Sequence, residues 1–313
     1  MGYGVSESVV EFGPGNRLVG ILSHGTGTRR DPAVVITNSG IIHRAGANRL
    51  HVRLARRLAE AGYTVLRYDL PGLGDSEVIP GASDIRQMNL QGTRAALDEL
   101  SRRGIADTFV MVGLCSGADH SFAVALQDER VVGAVLIDPT ALVSTRRHRL
   151  NQVLRTARRG LRPRVWIRLL RGRYQVRRMI QHRSIEPPRM GMPTSVPNDP
   201  RDPRRNQILE ALRALTGRGV RIRLVITGHS KDVYSYAGQM VDAFPEIPEL
   251  RRCVSVSMRP QATHTFSDEA DRRFLEQEIE AWLSSIPETT QRVVRTASRG
   301  HAGLQSWTSV GSS

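Results

Sequence analysis

The sequence predicts an α/β protein with a mostly parallel β-sheet and helices on both faces. Three observations predict this fold class. Apolar runs rich in β-branched residues alternate with amphipathic helical patterns as far as residue 137. The run AVVIT at 33–37 is typical of a strand that is buried on both faces, as parallel strands are. The same alternation returns after residue 206, so one sheet is expected to continue beyond an interruption.

The individual elements are predicted from periodicity and from the residues that end them. Leu50, Leu54 and Leu58 recur at helical spacing, and Gly62 ends that helix. A Gly-Pro-Gly-Asn turn at 13–16 joins the first two strands. The predicted elements are strands 9–12, 18–23 and 33–37, helix 48–61, strand 63–68, helix 84–103, strand 108–112, helix 118–127, strand 131–137, helix 207–215, strands 222–227 and 253–258, and helix 268–283.

The interruption divides the chain into four parts. Residues 1–140 and 206–287 are predicted to be the two parts of the α/β core. Residues 141–205 are dense in arginine, with helical stretches and a proline-rich end, and are predicted to form an inserted helical lid. Residues 288–313 are rich in Ser, Thr, Gly and Arg with almost no apolar face, which predicts a poorly ordered tail.

The charge of the chain is strongly positive. The 313 residues carry 45 Lys and Arg against 30 Asp and Glu, a net charge of +15, and Lys231 is the only lysine. Such a charge favours an anionic partner, such as coenzyme A, an acidic carrier protein, nucleic acid or anionic lipid. It is equally typical of a solvated surface encoded by an arginine-rich genome. Few aromatic residues accompany the arginines of 141–205, so nucleic acid is not the expected partner.

The cysteine count and the hydropathy restrict the cellular location. Two cysteines, Cys115 and Cys253, cannot form a disulfide framework, which favours a reducing compartment or one working thiol. No apolar run of about 18 residues occurs, so no membrane-spanning helix is expected. The N-terminal segment lacks a basic region followed by an apolar one, so no secretory signal is expected. The predicted location is the cytoplasm.

The most specific motif is Gly113-Leu114-Cys115-Ser116-Gly117, between a predicted strand and a predicted helix. A nucleophile on such a tight turn adopts a strained backbone, and small residues two positions away on either side let neighbouring chain come close. The turn also places the thiol at a helix N-terminus, where the helix dipole stabilises a thiolate. We therefore predict Cys115 as a nucleophile, with Ser116 contributing its backbone amide.

This arrangement resembles the α/β-hydrolase family, over residues 9 to about 287. The resemblance implies an eight-stranded, mostly parallel sheet and a triad in the order nucleophile, acid, histidine. Asp232 follows strand 222–227 in a Gly-x-x-x-Asp arrangement, and His264 precedes the last helix, so the resemblance assigns Asp232 to orient the ring and His264 to act as base. Asp138, at the end of strand 131–137, is the rival acid. His229 is interpreted as a turn residue.

The resemblance also assigns an oxyanion hole to the loop after strand 33–37. Asn38-Ser39-Gly40 stands where the family usually has His-Gly-x, and the predicted donors are the backbone amides of Ile41 and Ser116. His43 and Arg44 either face the pocket and bind an anionic group or cap the helix that follows. The segment 69–76 resembles the family's Asp-x-x-Gly-x-Gly-x-Ser loop, whose role is structural.

A narrower resemblance concerns hydrolases associated with exosortase systems and biosynthetic gene clusters. It rests on the strings NSGIIHRAGANRL, GLCSGA and HTF. It implies acyl chemistry in bacterial specialised-metabolite biosynthesis and names no substrate. Phosphate-loop and zinc-ligand spacings are absent from the sequence, so no cofactor and no metal are expected.

The predicted function is acyl hydrolysis or transfer through an acyl-cysteine on Cys115, on an ester or thioester carried by coenzyme A or an acyl carrier protein. Two alternatives remain open. One is a lyase of the same fold, in which His264 removes a proton and a carboxylate is expelled from an acylated intermediate. The other is a catalytically inactive hydrolase fold that serves as a binding protein. The oligomeric state is not predicted.

Overall fold

A computed structural model describes residues 4–143, 145, 148, 150, 151 and 194–286. The helices predicted within the arginine-rich lid and the tail predicted at 288–313 lie outside the described residues. Within the described residues no helix is long and apolar enough to cross a membrane.

The centre of the fold is an eight-stranded sheet in the order β1-β2-β4-β3-β5-β6-β9-β10. Only β2 runs against its neighbours, pairing antiparallel with β1 and β4, and the other neighbouring pairs are parallel. The predicted eight-stranded, mostly parallel sheet is therefore confirmed. The strands are β1 Val5–Phe12, β2 Leu18–Gly25, β3 Arg30–Ile36, β4 Tyr63–Tyr68, β5 Phe109–Leu114, β6 Val131–Ile137, β9 Arg221–Thr227 and β10 Val254–Arg259.

Helices cover both faces of this sheet, and the buried apolar residues form one cluster on each side. Strands β5 and β6 are buried along their whole length, as expected of central parallel strands. In residues 4–143 and 194–286, the helices of four or more residues are α1 Leu50–Glu60, α2 Ile85–Arg102, α3 Ser116–Gln127, α4 Pro203–Gly217, α5 Gln239–Ala243, α6 Leu250–Cys253 and α7 Glu269–Ser284.

Two details differ from the sequence prediction. Strand β1 begins at Val5, four residues early, because the first half of this edge strand is mostly exposed and gives no apolar signal. Cys253 ends the short helix α6, and strand β10 begins one residue later. Helices of four and five residues hold too few turns to produce a periodic pattern, so α5 and α6 escaped prediction.

The described chain leaves the sheet after β6. A short strand β7, Ala141–Val143, pairs in parallel with β8, Thr194–Val196. The chain then returns to the sheet through α4.

The register of the central strands determines where the site is built. Leu114 at the end of β5 pairs with Ile137 at the end of β6, and Ile137 pairs with Val225 of β9. The residues that follow these strands therefore emerge side by side at one edge of the sheet. Cys115 and Asp138 are the first residues beyond β5 and β6.

Candidate active site

Cys115 occupies a sharp turn between β5 and α3. Its backbone has φ 57° and ψ −123°, a left-handed conformation that is strained for a residue with a side chain. The Cys115 N–H donates to the Ile137 carbonyl at 2.8 Å, and the Cys115 carbonyl accepts from the Ala118 N–H at 2.9 Å. The turn is thus fixed to strand β6 on one side and to helix α3 on the other.

The two glycines of the motif are required by close backbone contacts. A Cβ on Gly113 would lie 2.0 Å from the Gly117 carbonyl oxygen, and one on Gly117 would lie 2.3 Å from that of Asn38. No side chain fits at either distance, so both positions need glycine. This is the physical reason that the sequence motif has small residues on either side of Cys115.

His264 lies in the loop between β10 and α7, beside Cys115. Its Nδ1 donates to Asp138 Oδ2 at 3.0 Å, and its side chain also hydrogen-bonds to that of Cys115. Burial lowers the pKa of His264, but the hydrogen bonds to Asp138 and Cys115 outweigh that effect and raise the pKa to about 9. The raised pKa favours the protonated form of the ring between these two partners.

The carboxylate that holds His264 belongs to Asp138. It accepts from the Thr227 N–H at 2.9 Å through Oδ1 and from the Thr227 hydroxyl at 2.5 Å through Oδ2. Burial raises the pKa of Asp138, but the hydrogen bonds from His264 and Thr227 outweigh it, so the pKa lies below its ordinary value. The Asp138 side chain is fully buried and remains a carboxylate.

The structure corrects the assignment of Asp232 as the orienting acid. Asp232 is an exposed residue of the turn after β9, whereas His264 Nδ1 is bonded to Asp138, the rival acid. The reason lies in the sheet register, which puts the residue after β6 directly beside the end of β9. The motif around Asp232 follows β9, as the sequence predicts, but the carboxylate bonded to Nδ1 of His264 belongs to Asp138.

The loop after β3 lies against the start of α3. The Gly40 N–H donates to Ser116 Oγ at 2.8 Å, which joins this loop to the residue after Cys115. Ile41 follows, with its side chain 89% exposed. The Ser116 amide is at the N-terminus of α3, where backbone N–H groups have no intrahelical acceptor. Oxyanion binding by the Ile41 and Ser116 amides stays a prediction.

Arg44 holds this loop to the loop after β4. Its guanidinium binds the carboxylates of Asp69 and Asp75, and its backbone N–H donates to Asp69 Oδ1 at 2.6 Å. Asn38 joins the same cluster, since its amide donates to Asp69 Oδ1 at 3.3 Å. Two carboxylates of the chain therefore neutralise the charge that could have bound an anionic substrate at Arg44.

The alternative role of His43 and Arg44 as helix caps is wrong. Gly46 and Arg49 precede the two helical segments here, and neither segment has a side-chain cap. His43 is exposed, and its Nδ1 accepts from the Ala45 N–H at 3.2 Å, which is a bond within its own turn. Binding of an anionic group by His43 stays a prediction.

Comparison with known proteins identifies the family. The family model described as "Alpha/beta hydrolase family" matches residues 21–305. The chain belongs to the α/β-hydrolase family. No curated protein sequence matches it.

Solved structures of similar fold include three that cover nearly the whole chain. An alpha-beta serine hydrolase homologue from Coxiella burnetii is 15% identical with a TM-score of 0.51, over 89% of this chain and 97% of that one. Est1E from Butyrivibrio proteoclasticus is 12% identical with a TM-score of 0.52, over 88% and 97%. Dienelactone hydrolase from Anabaena variabilis is 13% identical with a TM-score of 0.51, over 90% and 98%. At these identities the likeness concerns the fold.

Sequence reasoning missed one buried carboxylate of this α/β hydrolase. Asp119 lies in the first turn of α3, and its backbone N–H donates to the Cys115 carbonyl at 3.2 Å. Its carboxylate accepts from the N–H of Thr140 at 3.0 Å and from the hydroxyl of the same residue. Thr140 stands two residues after Asp138, so Asp119 connects the turn that carries Cys115 with the turn that carries Asp138.

His229 is the second residue that the sequence did not single out for function in this α/β hydrolase. It was interpreted as a turn residue, and it does lie in the turn after β9. Its ring also stacks on that of His264, with ring centroids 4.1 Å apart and an interplanar angle of 35°. Only its position two residues after β9, a strand that pairs with β6, could have signalled this contact in the sequence.

Proposed function

We propose that this α/β hydrolase transfers acyl groups from esters or thioesters through an acyl-cysteine on Cys115. The proposal rests on one observation: His264 bridges the Cys115 side chain, at a strained turn, and the buried carboxylate of Asp138. This is the arrangement that nucleophilic catalysis requires, with a base beside the nucleophile and a third group that orients the base. The triad is thus Cys115, His264 and Asp138.

The first half-reaction forms the acyl-enzyme. The Cys115 thiolate attacks the carbonyl carbon, and the resulting oxyanion is bound by the amides of Ser116 and Ile41. The bond from carbon to the leaving oxygen or sulfur then breaks, and the leaving group takes the proton of the His264 imidazolium at Nε2. Asp138 keeps the ring oriented throughout, because it accepts the hydrogen bond from Nδ1–H and remains a carboxylate.

The second half-reaction releases the acyl group. His264, now neutral, takes a proton from the acceptor as the acceptor attacks the thioester carbon, and the carbon–sulfur bond breaks to return the Cys115 thiolate. Water as acceptor gives hydrolysis, and an amine or carbon nucleophile gives transfer or cyclisation. A thioester remains reactive toward such nucleophiles, which is the chemical reason to include acyl transfer.

The proposed substrate carrier is anionic, either coenzyme A or an acyl carrier protein. The net charge of +15 supports it, since guanidinium groups bind phosphate well. Both cysteines are free thiols, which fits a reducing compartment and the proposed cytoplasmic location. The motif strings around Cys115 and Asn38 support a place in bacterial specialised-metabolite biosynthesis.

Mass spectrometry of the intact protein after exposure to a reactive acyl thioester tests the proposal. The wild type is expected to gain one acyl mass, located on Cys115 by peptide mapping. Cys115→Ala should gain none, whereas Cys253→Ala should gain the same mass as the wild type. Cys253 is the matched control because it is the other free cysteine and is buried in α6.

The outcome also separates the two alternatives. Turnover without acylation that persists in Cys115→Ala and is lost in His264→Ala would favour the lyase. Neither acylation nor turnover with any thioester or ester would favour a binding protein. Either result would overturn the acyl-cysteine proposal.

The carrier is tested by comparing acyl-coenzyme A with the N-acetylcysteamine thioester of the same acyl group. The second substrate keeps the thioester and lacks the phosphates. A higher kcat/KM for the coenzyme A substrate, falling as salt is added, is expected if arginine side chains bind the phosphates. Equal values at low salt would contradict an anionic carrier.

A further inference from the structure

The ring of His229 packs against that of His264 in a tilted arrangement. The centroid separation of 4.1 Å and the interplanar angle of 35° describe a tilted stack in close contact. His229 is the second residue after β9, whereas His264 lies in the loop after β10, so two separate loops bring the rings together. The stack therefore depends on how closely these loops approach.

The two loops are fixed to each other beside the stack. The Gly228 N–H donates to the Ala262 carbonyl at 3.1 Å. A Cβ on Gly228 would lie 2.5 Å from the Pro260 carbonyl oxygen, so a larger residue there would force the loops apart. His229 and His264 each stand within two residues of this contact, which sets the distance between their rings.

His229 is also connected to the carboxylate of the site. Its backbone N–H donates to Thr227 Oγ1 at 3.1 Å, and the Thr227 hydroxyl donates to Asp138 Oδ2. The same oxygen of Asp138 accepts from His264 Nδ1. The backbone of His229 is thus fixed to the group that orients His264.

The two hydrogen bonds of His264 do not prevent rotation of the ring about the axis that joins them. Nδ1 is bonded to Asp138, and since that nitrogen is taken, the hydrogen bond to Cys115 falls to Nε2, so the two bonds define an axis through the ring. Rotation about that axis keeps both bonds while it changes the direction of the imidazole plane. A flat ring against one face, such as that of His229, opposes this rotation.

We propose that His229 is a positioning residue, whose ring holds the plane of His264 and stabilises its protonated form. This inference deepens the acyl-cysteine proposal and rests on it. An aromatic face attracts a cation placed over it, so a stacked ring favours imidazolium over imidazole. Among the described residues, the titratable groups shown in contact with His264 are Cys115 on the turn before α3, Asp138 after β6 and His229 in the turn after β9.

Two substitutions at His229 distinguish the effect of its aromatic ring from the effect of its two nitrogens. His229→Phe keeps a flat aromatic face and removes both nitrogens, whereas His229→Ala removes the stack. We expect His229→Ala to lower kcat by about 2- to 10-fold with KM unchanged, since an aromatic pair contributes about that factor. His229→Phe should keep the wild-type kcat. Lys231→Ala, an exposed residue of the same turn, is the matched control and should also keep it.

NMR titration of the His264 ring gives a readout that does not depend on turnover. Its resonance is assigned by comparison with His264→Gln, and the full-length protein is used throughout. The titration midpoint is expected to fall by about half a unit to one unit in His229→Ala and to stay at the wild-type value in His229→Phe. Thermal unfolding of each variant checks that the fold is retained.

The outcomes are distinct from those of the acylation test. Wild-type kcat and midpoint in His229→Ala would overturn the inference. Equal loss in His229→Phe and His229→Ala would also overturn it, because the nitrogens and not the ring would then be required. A shifted midpoint in a protein that never acylates would support the stack while the proposed function itself fails.

Discussion

Asp138 and His264 are 126 residues apart in the sequence, and their side chains meet at 3.0 Å at one edge of the sheet. The contact depends on the parallel pairing of β6 with β9, because Thr227 at the end of β9 donates twice to the same carboxylate. Thr227 at the end of β9 thus fixes the Asp138 carboxylate, and this carboxylate contacts His264 in the loop after β10. The sequence motif pointed to another carboxylate, and a pair of variants decides between them.

Asp138→Asn is expected to reduce kcat/KM by roughly 10²- to 10⁴-fold, because an amide no longer stabilises the imidazolium or fixes its tautomer. Asp232→Asn is the matched control. It makes the same change on an exposed carboxylate of the turn after β9. Its kcat/KM should stay within about twofold of the wild-type value. Steady-state hydrolysis of an activated ester measures both. A larger loss in Asp232→Asn would restore the assignment made from the sequence.

The pH dependence of kcat/KM should reveal the imidazolium. Because the pKa of His264 is raised to about 9, the proton that an alkoxide leaving group needs is lost as the pH rises through about 9. We expect the rate on an alkyl ester to fall there. A p-nitrophenyl ester needs no proton on its leaving group, so its rate should fall less.

Asp138→Asn extends this test. Removal of the carboxylate removes the main hydrogen bond that raises the pKa of His264, so the alkaline fall should move to lower pH. An unchanged profile in the variant would mean that another group causes the fall.

Gly117→Ala tests the close contact behind Cys115. The new Cβ would lie 2.3 Å from the Asn38 carbonyl oxygen, so α3 and the loop after β3 must separate. We expect the free energy of unfolding to fall by about 1–3 kcal/mol and the acylation rate to fall at least tenfold. Gly217→Ala at the end of α4 meets nothing within 4 Å and should be neutral or stabilising by up to about 1 kcal/mol. Urea unfolding measures both, and equal effects would contradict the steric explanation.

Asp119 should make the stability of the protein depend on pH. Burial raises the pKa of Asp119 from 3.8 to about 6, against the two hydrogen bonds from Thr140. Between these two pKa values Asp119 is ionised in the unfolded chain and protonated in the folded protein. The free energy of unfolding therefore falls as the pH rises from about 4 to about 6. At 1.36 kcal/mol per unit, the cost reaches about 3 kcal/mol at neutral pH.

Asp119→Asn removes that dependence. The stability of the variant relative to the wild type should therefore increase from pH 4 to pH 7, by up to about 3 kcal/mol. Asp107→Asn replaces an exposed carboxylate and is the control. Its free energy of unfolding should stay within about 0.5 kcal/mol of the wild-type value at both pH values. Urea unfolding at the two pH values gives the comparison. A pH-independent difference for Asp119→Asn would contradict the raised pKa.

The features that are local in the chain could be predicted from the residues alone. The strand, the sharp turn and the helix around Cys115 were predicted together, since a turn flanked by Gly113 and Gly117 needs only neighbouring residues to be recognised. The alternation of strands and helices stops after β6 in the sequence, and the inserted lid at 141–205 stays a prediction. His264 was placed by its position before the last helix.

The sequence did not predict which carboxylate binds the ring of His264, and this contact is seen only in the folded sheet. Asp138 and Asp232 both follow strands at the same edge, and their distance from His264 depends on the lateral order and register of β6, β9 and β10. No periodic pattern encodes that order, because it results from how the whole sheet packs. The contacts of Asp119 with Thr140 and of His229 with His264 arise in the same way, between loops that meet only once the sheet has formed.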